Sequence, residues 1–383
     1  MSAPVRDATS AELLDWDART VDAPGGNVYQ SLAWARQRER LGWRPHYFVF
    51  ADGGRLLAIE RPWPWIGGAG AYVPRGPVVG DGSVRAAADR LAAAATYLAD
   101  RGVDVVASDA EIEASTGYGG FIEARGFRPI EEVQPSRHRV ALRLPAGTTE
   151  EAAFMATAAS VRQRVRHAER AGLRVVRWDA RSGGGEDATV GAGFEAPAAA
   201  ALGDPSRIAF DRFYDLLVAT AHRRHFGLAA RGPFVDWSTS ALGAGHVVLL
   251  EVLDPAGTLL GAATFYRHGG RLTYSHSGDR ADLRREHPGV IHLLLWRAIQ
   301  LAIRDGMVEV DLAGVDVAGR RREPREGEEM YGLYAFKRSF GAEWVELVGN
   351  HEWVAHPWRY LLGRVSGRLA AAGGSIAGRM GRR

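Results

Sequence analysis

One lysine stands in a chain of 383 residues that otherwise carries its positive charge on arginine: Lys337, in the segment YGLYAFKRSF. A compact, strongly hydrated ammonium where guanidinium is the default marks a place where a point charge suits better than a planar fork. Such a group can stabilise a developing oxyanion or a phosphate, or act as a base if burial lowers its pKa. An ordinary surface lysine is the competing reading. Cysteine is absent, which excludes thiol nucleophiles, zinc–thiolate sites, iron–sulfur clusters and thiol redox chemistry. His222 and His225 lie three apart in ATAHRRHFG with no third ligand at metal spacing, so no metal is expected. Asp109 and Glu111 lie at the end of the strand-like run VDVVASD and can line a site or cap a turn. G-x-G-x-x-G, P-loop, G-x-S-x-G and H-E-x-x-H patterns are missing, which weighs against dinucleotide, kinase, serine-hydrolase and zincin chemistry.

Other charges point to anions without specifying one. The net charge is +3, a mild bias. SVRQRVRHAERAGLR places Arg162, Arg166 and Arg170 at i, i+4 spacing on one helical face. The stretch from Trp358 to Arg383 holds six arginines and no acid. A solvated face and a frayed basic tail are the bland alternatives. No apolar run reaches the roughly 18 residues of a spanning helix. The opening MSAPVRDATSAELLDWDART has acids and no apolar h-region, so a cytoplasmic protein is expected.

The elements that must position these groups repeat. Residues 27–45 predict a helix capped by Asn27 and ended by Gly42 and Pro45, followed by two strands around Asp-Gly-Gly, an Ala-rich helix and the strand VDVVASD. The second half follows the same plan. GRLLAI matches GTLLGA, LADRGVDVV matches LAIRDGMVEV, and YGGFIEARGF matches YGLYAFKRSF over ten positions. Three matches in one order argue for a duplicated α/β (α+β) domain, with mixed central sheets flanked by helices. Lys337 aligns with Ala124, so the lysine belongs to one copy. The expected layout is a first domain at 1–145, a second at 146–350, and a basic segment at 351–383 that returns to the first domain. Residues 181–206, Gly- and Ala-rich and aperiodic, read as a disordered insertion.

The residues from about 25 to 360 resemble the FemABX family, the aminoacyl-tRNA-dependent transferases that build peptidoglycan cross-bridges. YQSLAWARQR is similar to the family's Q-S-x-x-W helix, with Trp34 as its tryptophan and Arg38 at its usual lysine. ASDAE resembles the strand end with the family's Asp, here Asp109. RQRVRHAERAGLRV resembles the basic helix opening the second domain. TAHRRHF resembles T-x-x-R-x-x-F and places its arginine at Arg223, TYSHSG places a tyrosine at Tyr274, and LYAFKRSFGAEWVELVG places the Phe-Lys pair at Phe336 and Lys337. The resemblance implies two tandem GNAT-like acyltransferase domains. It further implies diphosphate-binding roles for Arg38 and Arg223, and an acyl-transfer centre at Phe336 and Lys337. Trp34 and Tyr274 would be substrate-binding, Asp109 a candidate proton acceptor, and Arg162, Arg166 and Arg170 a weak RNA-backbone surface. The implied donor is aminoacyl-tRNA, the acceptor a UDP-linked or lipid-linked muropeptide, and no cofactor is expected. Contact with the inner membrane surface is an accessory expectation.

Two other readings compete. RHFGLA fits the R-x-x-G-x-A loop that holds the pyrophosphate of coenzyme A, although such a loop follows a strand and opens a helix, and here it ends a helix. That would be a coenzyme-A-dependent N-acyltransferase. The other is a non-catalytic RNA- or membrane-surface-binding protein.

Overall fold

A computed structural model describes residues 5–131, 137–181, 204–224, 227–315 and 322–380. The chain forms two compact units, Met1–Arg137 with Glu346–Arg383, and His138–Val345. The first stretch runs β1 (Val5–Asp7), α1 (Ser10–Leu13), α2 (Trp16–Thr20), α3 (Leu32–Arg40), β2 (Arg44–Phe50), β3 (Arg55–Pro62), β4 (Ala69–Val73), α4 (Val84–Ala99), β5 (Val103–Ser108), α5 (Tyr118–Glu123) and β6 (Arg128–Pro129). There follow β7 (His138–Arg143), α6 (Glu150–Ala156), α7 (Ala159–Arg170), β8 (Arg174–Trp178), α8 (Asp204–Arg224), α9 (Arg231–Gly243), β9 (Val247–Leu253), β10 (Leu259–His268) and β11 (Arg271–Asp279). The chain closes with α10 (Val290–Arg304), β12 (Glu309–Asp311), α11 (Tyr331–Arg338), β13 (Glu343–Glu346), β14 (His351–Val354) and α12 (Pro357–Met380). Residues 182–203, the bulk of the expected insertion, lie outside the described residues, as do His225 and Phe226.

Each unit holds a seven-stranded mixed sheet, ordered β1-β2-β3-β4-β5-β14-β6 and β13-β7-β12-β11-β10-β9-β8. One parallel pair sits in each, β4 with β5 and β11 with β12, and a helix bridges each pair, α4 and α10. Such a crossover is what a parallel pair requires. α4 starts at Ser83, whose hydroxyl accepts from the Ala86 N–H at 3.1 Å, and it buries Ala87, Ala88, Leu91, Ala94, Ala95 and Leu98. Those alanines let the helix lie close on the sheet. α10 begins at Gly289, with φ +98° and a would-be Cβ 2.6 Å from the Arg164 carbonyl oxygen, so only glycine fits. Strand β6 leads directly into β7, yet the strand between β5 and β6 is β14, while β7 fills the matching slot between β12 and β13.

The sequence repeat is a repeat of structure. α5 and α11 both start from a left-handed residue, Gly117 at φ 75° and Met330 at φ 68°, and both lead to a buried phenylalanine, Phe127 and Phe340. The expected helix over 27–45 is a different matter. Val28–Gln30 forms a single 3-10 turn capped by Asn27, and α3 starts afresh after Ser31, whose hydroxyl accepts from the Trp34 N–H at 3.0 Å. Buried Gln30 causes the break. Its amide bonds both main-chain groups of Leu57, at 2.8 and 3.1 Å, and the Pro74 carbonyl at 2.7 Å, which draws the chain onto β3.

Candidate functional site

In the first unit, α3 carries Trp34 and Arg38 four residues apart, hence on one face. Trp34 is buried with its ring 4.5 Å from that of Tyr29, and the Arg38 guanidinium lies 3.9 Å over the indole. Burial holds the Arg38 pKa below its ordinary value, with Tyr29 and Tyr72 among its neighbours. Its Nε has no hydrogen-bond partner among the described residues. A half-buried, stacked guanidinium with an unsatisfied donor is suited to an anionic oxygen.

Tyr29 and Tyr72 also neighbour Arg75, which pairs with Asp109. Arg75 has φ +52°, its N–H donates to Asp109 Oδ1 at 2.6 Å, and its Nε lies 3.5 Å from Oδ2. Burial works against the Arg75 charge, but Asp109 and Glu111 outweigh it and hold the pKa above its usual value. Burial likewise raises Asp109 above the ordinary carboxylate range, against the pull of Arg75. Trp34, Arg38 and Asp109 therefore share one neighbourhood. Arg75 and Tyr72, at the end of β4, carried no sequence signal.

In the second unit, Lys337 is buried on α11, and its ammonium donates to the Ala313 and Gly314 carbonyls at 3.0 and 2.6 Å. Those carbonyls belong to the turn after β12, which is itself held fast. Ala313 has φ +61° and its N–H donates to Asp311 Oδ1 at 2.7 Å, while the Val315 N–H donates to His138 Nε2 at 2.8 Å. The VDLAGV motif thus makes a carbonyl cradle for one cation. Phe336 packs edge-on to His292, 5.2 Å away, and to Phe340, 5.4 Å away. Burial, with help from Arg164, lowers the His292 pKa to about 4, so its imidazole is neutral at pH 7. His292, in the first turn of α10, was not singled out by its sequence setting.

Tyr274 lies on β11, and Arg223 reaches the end of the same strand. Gly278 lets α8 come so close that a Cβ there would sit 2.7 Å from Leu216 main chain. That approach carries Arg223, in the last turn of α8, to Asp279 Oδ1 at 2.9 Å. Arg284 shares the same carboxylate at 2.8 and 2.9 Å, which leaves a net positive cluster. Tyr274 bonds Ser277 through its hydroxyl, and burial raises its pKa. The basic face of α7 is less uniform than its spacing: Arg162 donates to the Met155 and Thr157 carbonyls at the end of α6, whereas Arg166 and Arg170 are exposed. After α8 ends at Arg224, residues 227–230 lead into α9, so the described part of RHFGLA lies between two helices and no strand precedes it.

Two mixed sheets in one chain, each with a helix-bridged parallel pair, make a tandem α/β fold. The crystal structure of FemX superposes with a TM-score of 0.74 at 18% identity, covering 94% of this chain and 99% of that one. L-PGS from Bacillus licheniformis shares the fold more loosely, with a TM-score of 0.50 at 11% identity, covering 95% and 98%. In sequence, the chain is 29% identical over 124 residues to a lipid II:glycine glycyltransferase of Staphylococcus epidermidis, which is 32% of this chain. That match spans only 28% of the relative's length. No family model matches the chain. Over nearly its whole length the chain has the fold of FemX, and over 124 residues its sequence is similar to that of a lipid II:glycine glycyltransferase.

Proposed function

We propose that the protein is an aminoacyltransferase that moves an amino acid from its ester on tRNA to an amine of a peptidoglycan precursor, UDP-linked or lipid-linked. The observation that carries this reading is the chain's lone lysine, buried and aimed by two backbone carbonyls beside Phe336. An aminoacyl ester is already an activated donor. The neutral amine attacks its carbonyl, a tetrahedral oxyanion forms, the ribose hydroxyl leaves, and the attacking nitrogen loses a proton. The Lys337 ammonium stabilises the oxyanion, and Phe336 keeps its surroundings dry. Arg38, stacked and with a donor to spare, takes a phosphate oxygen of the precursor. Arg223, in the net positive cluster on Asp279, is a second phosphate-binding group, and Tyr274 shapes the substrate surface near it. Asp109 orients Arg75, and its raised pKa makes it the first unit's candidate proton acceptor. Arg166 and Arg170 offer a salt-sensitive surface to RNA backbone, with Arg162 fixing the start of their helix.

The test is a transfer assay with pooled tRNA charged with labelled amino acids and both forms of precursor, read by mass spectrometry beside Lys337→Met. A precursor heavier by one aminoacyl residue, dependent on charged tRNA and at least about 100-fold slower in the variant, is expected, since lost oxyanion donors typically cost that much. Retained turnover in Lys337→Met removes the lysine from the chemistry. Turnover of acetyl-coenzyme A instead would favour the thioester reading, although the helix–loop–helix setting of residues 227–230 speaks against it.

A further inference from the structure

α12 is arranged inside out for a helix that only packs on its own unit. Its inward positions are small: Gly363 and Ser366 are buried, and a Cβ at 363 would fall 2.3 Å from the Trp63 ring. Its outward stripe is large and apolar. Trp358, Leu362, Val365 and Leu369 follow one another at spacings of four, three and four residues, and they are 80%, 59%, 49% and 60% exposed. Leu361 lies beside them, also exposed. A helix on a globular surface normally buries such a stripe. At 100° per residue, Arg364 and Arg368 fall along one flank of it, both exposed. No Asp or Glu occurs from Pro357 to Arg383.

The seat of this helix is rigid and shared. Asp104 on β5 is fully buried and accepts from Arg359 Nε at 2.6 Å and from Trp63 Nε1 at 2.8 Å, with His356 Nδ1 at 3.2 Å. One carboxylate thus fixes the first turn of α12 and the loop from Trp63 to Gly68, which a Trp63 N–H to Gly68 carbonyl bond closes at 3.1 Å. That loop carries two further exposed apolar side chains, Trp65 and Ile66.

We infer that α12 and the Trp65 loop form a docking element that lies in the surface of an anionic lipid bilayer. Tryptophan favours the headgroup level, where its ring is both apolar and hydrogen-bonding. Leucines and valine enter the acyl boundary, and arginines on the flank meet lipid phosphates. A second copy of the chain fits less well. A seam along the same stripe would face Arg364 and Arg368 with their own counterparts, and α12 offers no acid to balance them. The inference does not rest on the aminoacyl-transfer reading, and its test uses lipid alone.

The experiment is co-sedimentation of the full chain with vesicles of phosphatidylglycerol and phosphatidylcholine in equal parts, and with phosphatidylcholine alone. Wild type is compared with Trp65→Ser/Leu362→Ser/Leu369→Ser and with Arg364→Glu/Arg368→Glu, each checked for an unchanged melt. The expected result is binding to the anionic vesicles that high salt weakens, with at least a tenfold lower partition in both variants. Failure of wild type to sediment, or equal partition of wild type and variants, overturns the inference. So does light scattering that finds a wild-type dimer which the triple variant dissolves, with vesicles left unbound.

Discussion

Lowering the pH from 7 to 5 should destabilise the second unit through one histidine of its β11 strand. His276 is held by burial at a pKa of about 4, against an ordinary value near 6.5. Its Nδ1 shares a hydrogen bond with the Ser275 hydroxyl at 2.7 Å, and its ring meets Phe234 edge-on at 5.7 Å. Because the folded pKa lies below the unfolded one, the unfolded chain binds the extra proton first. The neutral imidazole's contribution is therefore full above 6.5, erodes as pH falls, and is exhausted near 4. At pH 5 the unfolded state gains roughly 30-fold from protonation, which is about 2 kcal/mol, and the limit at lower pH is about 3 kcal/mol. For a unit of this size, that is a melting shift of about 4–8 °C. Carboxylates contribute to acid destabilisation as well, so the comparison must be internal: wild type against His276→Gln, melted at both pH values. The variant should lose about 2 kcal/mol less than wild type between them. Equal losses would show that His276 protonates without penalty in the folded protein, and the burial argument would fall. His292 shifts in the same direction and is also partly buried, so it adds to the same loss.

Three further substitutions test single links. Arg38→Ala should raise KM for the precursor about 10-fold or more while leaving kcat nearly unchanged, because a phosphate contact binds ground and transition states alike; steady-state kinetics decides. Gln30→Leu leaves three main-chain groups of Leu57 and Pro74 without their partner and should cost about 3–5 kcal/mol, read from denaturant melts of the full chain. Gly289→Ala forces a Cβ against the Arg164 carbonyl at φ +98° and should cost about 2–4 kcal/mol, visible as earlier proteolysis of the second unit.

Local signals reported well on local structure. The Asp-Gly-Gly turn, the Ala-rich α4 and the paired Tyr-Gly helices all follow from periodicity and turn chemistry, and the repeat exposed the duplicated α/β plan. Lys337 stood out by composition alone. What stayed hidden depends on residues far apart in the chain. Gln30 breaks the expected 27–45 helix through bonds to Leu57 and Pro74, which no window around Gln30 contains. Arg75 matters because its left-handed backbone brings an N–H to Asp109, and His292 because burial neutralises it. The evenly spaced arginines of α7 looked equivalent, yet Arg162 is tied to the carbonyls of α6. Spacing describes a helix face but not what the face meets.

The exchange of β7 and β14 sets an order of events during synthesis. Once β6 has been made, the next strand goes to the other sheet, so the slot beside β5 stays open until residues 351–354 exist. At about 5–20 residues per second, that delay is on the order of 10–40 s. For that time the nascent first sheet shows a bare edge at β5, whose Val103, Val105 and Val106 are buried in the finished protein. The carboxylate that anchors α12, Asp104, waits on the same edge. A ribosome stalled or a message truncated between residues 346 and 351 would therefore leave a complete second sheet attached to a first one that lacks β14, and such a product is a natural target for holding chaperones and quality-control proteases.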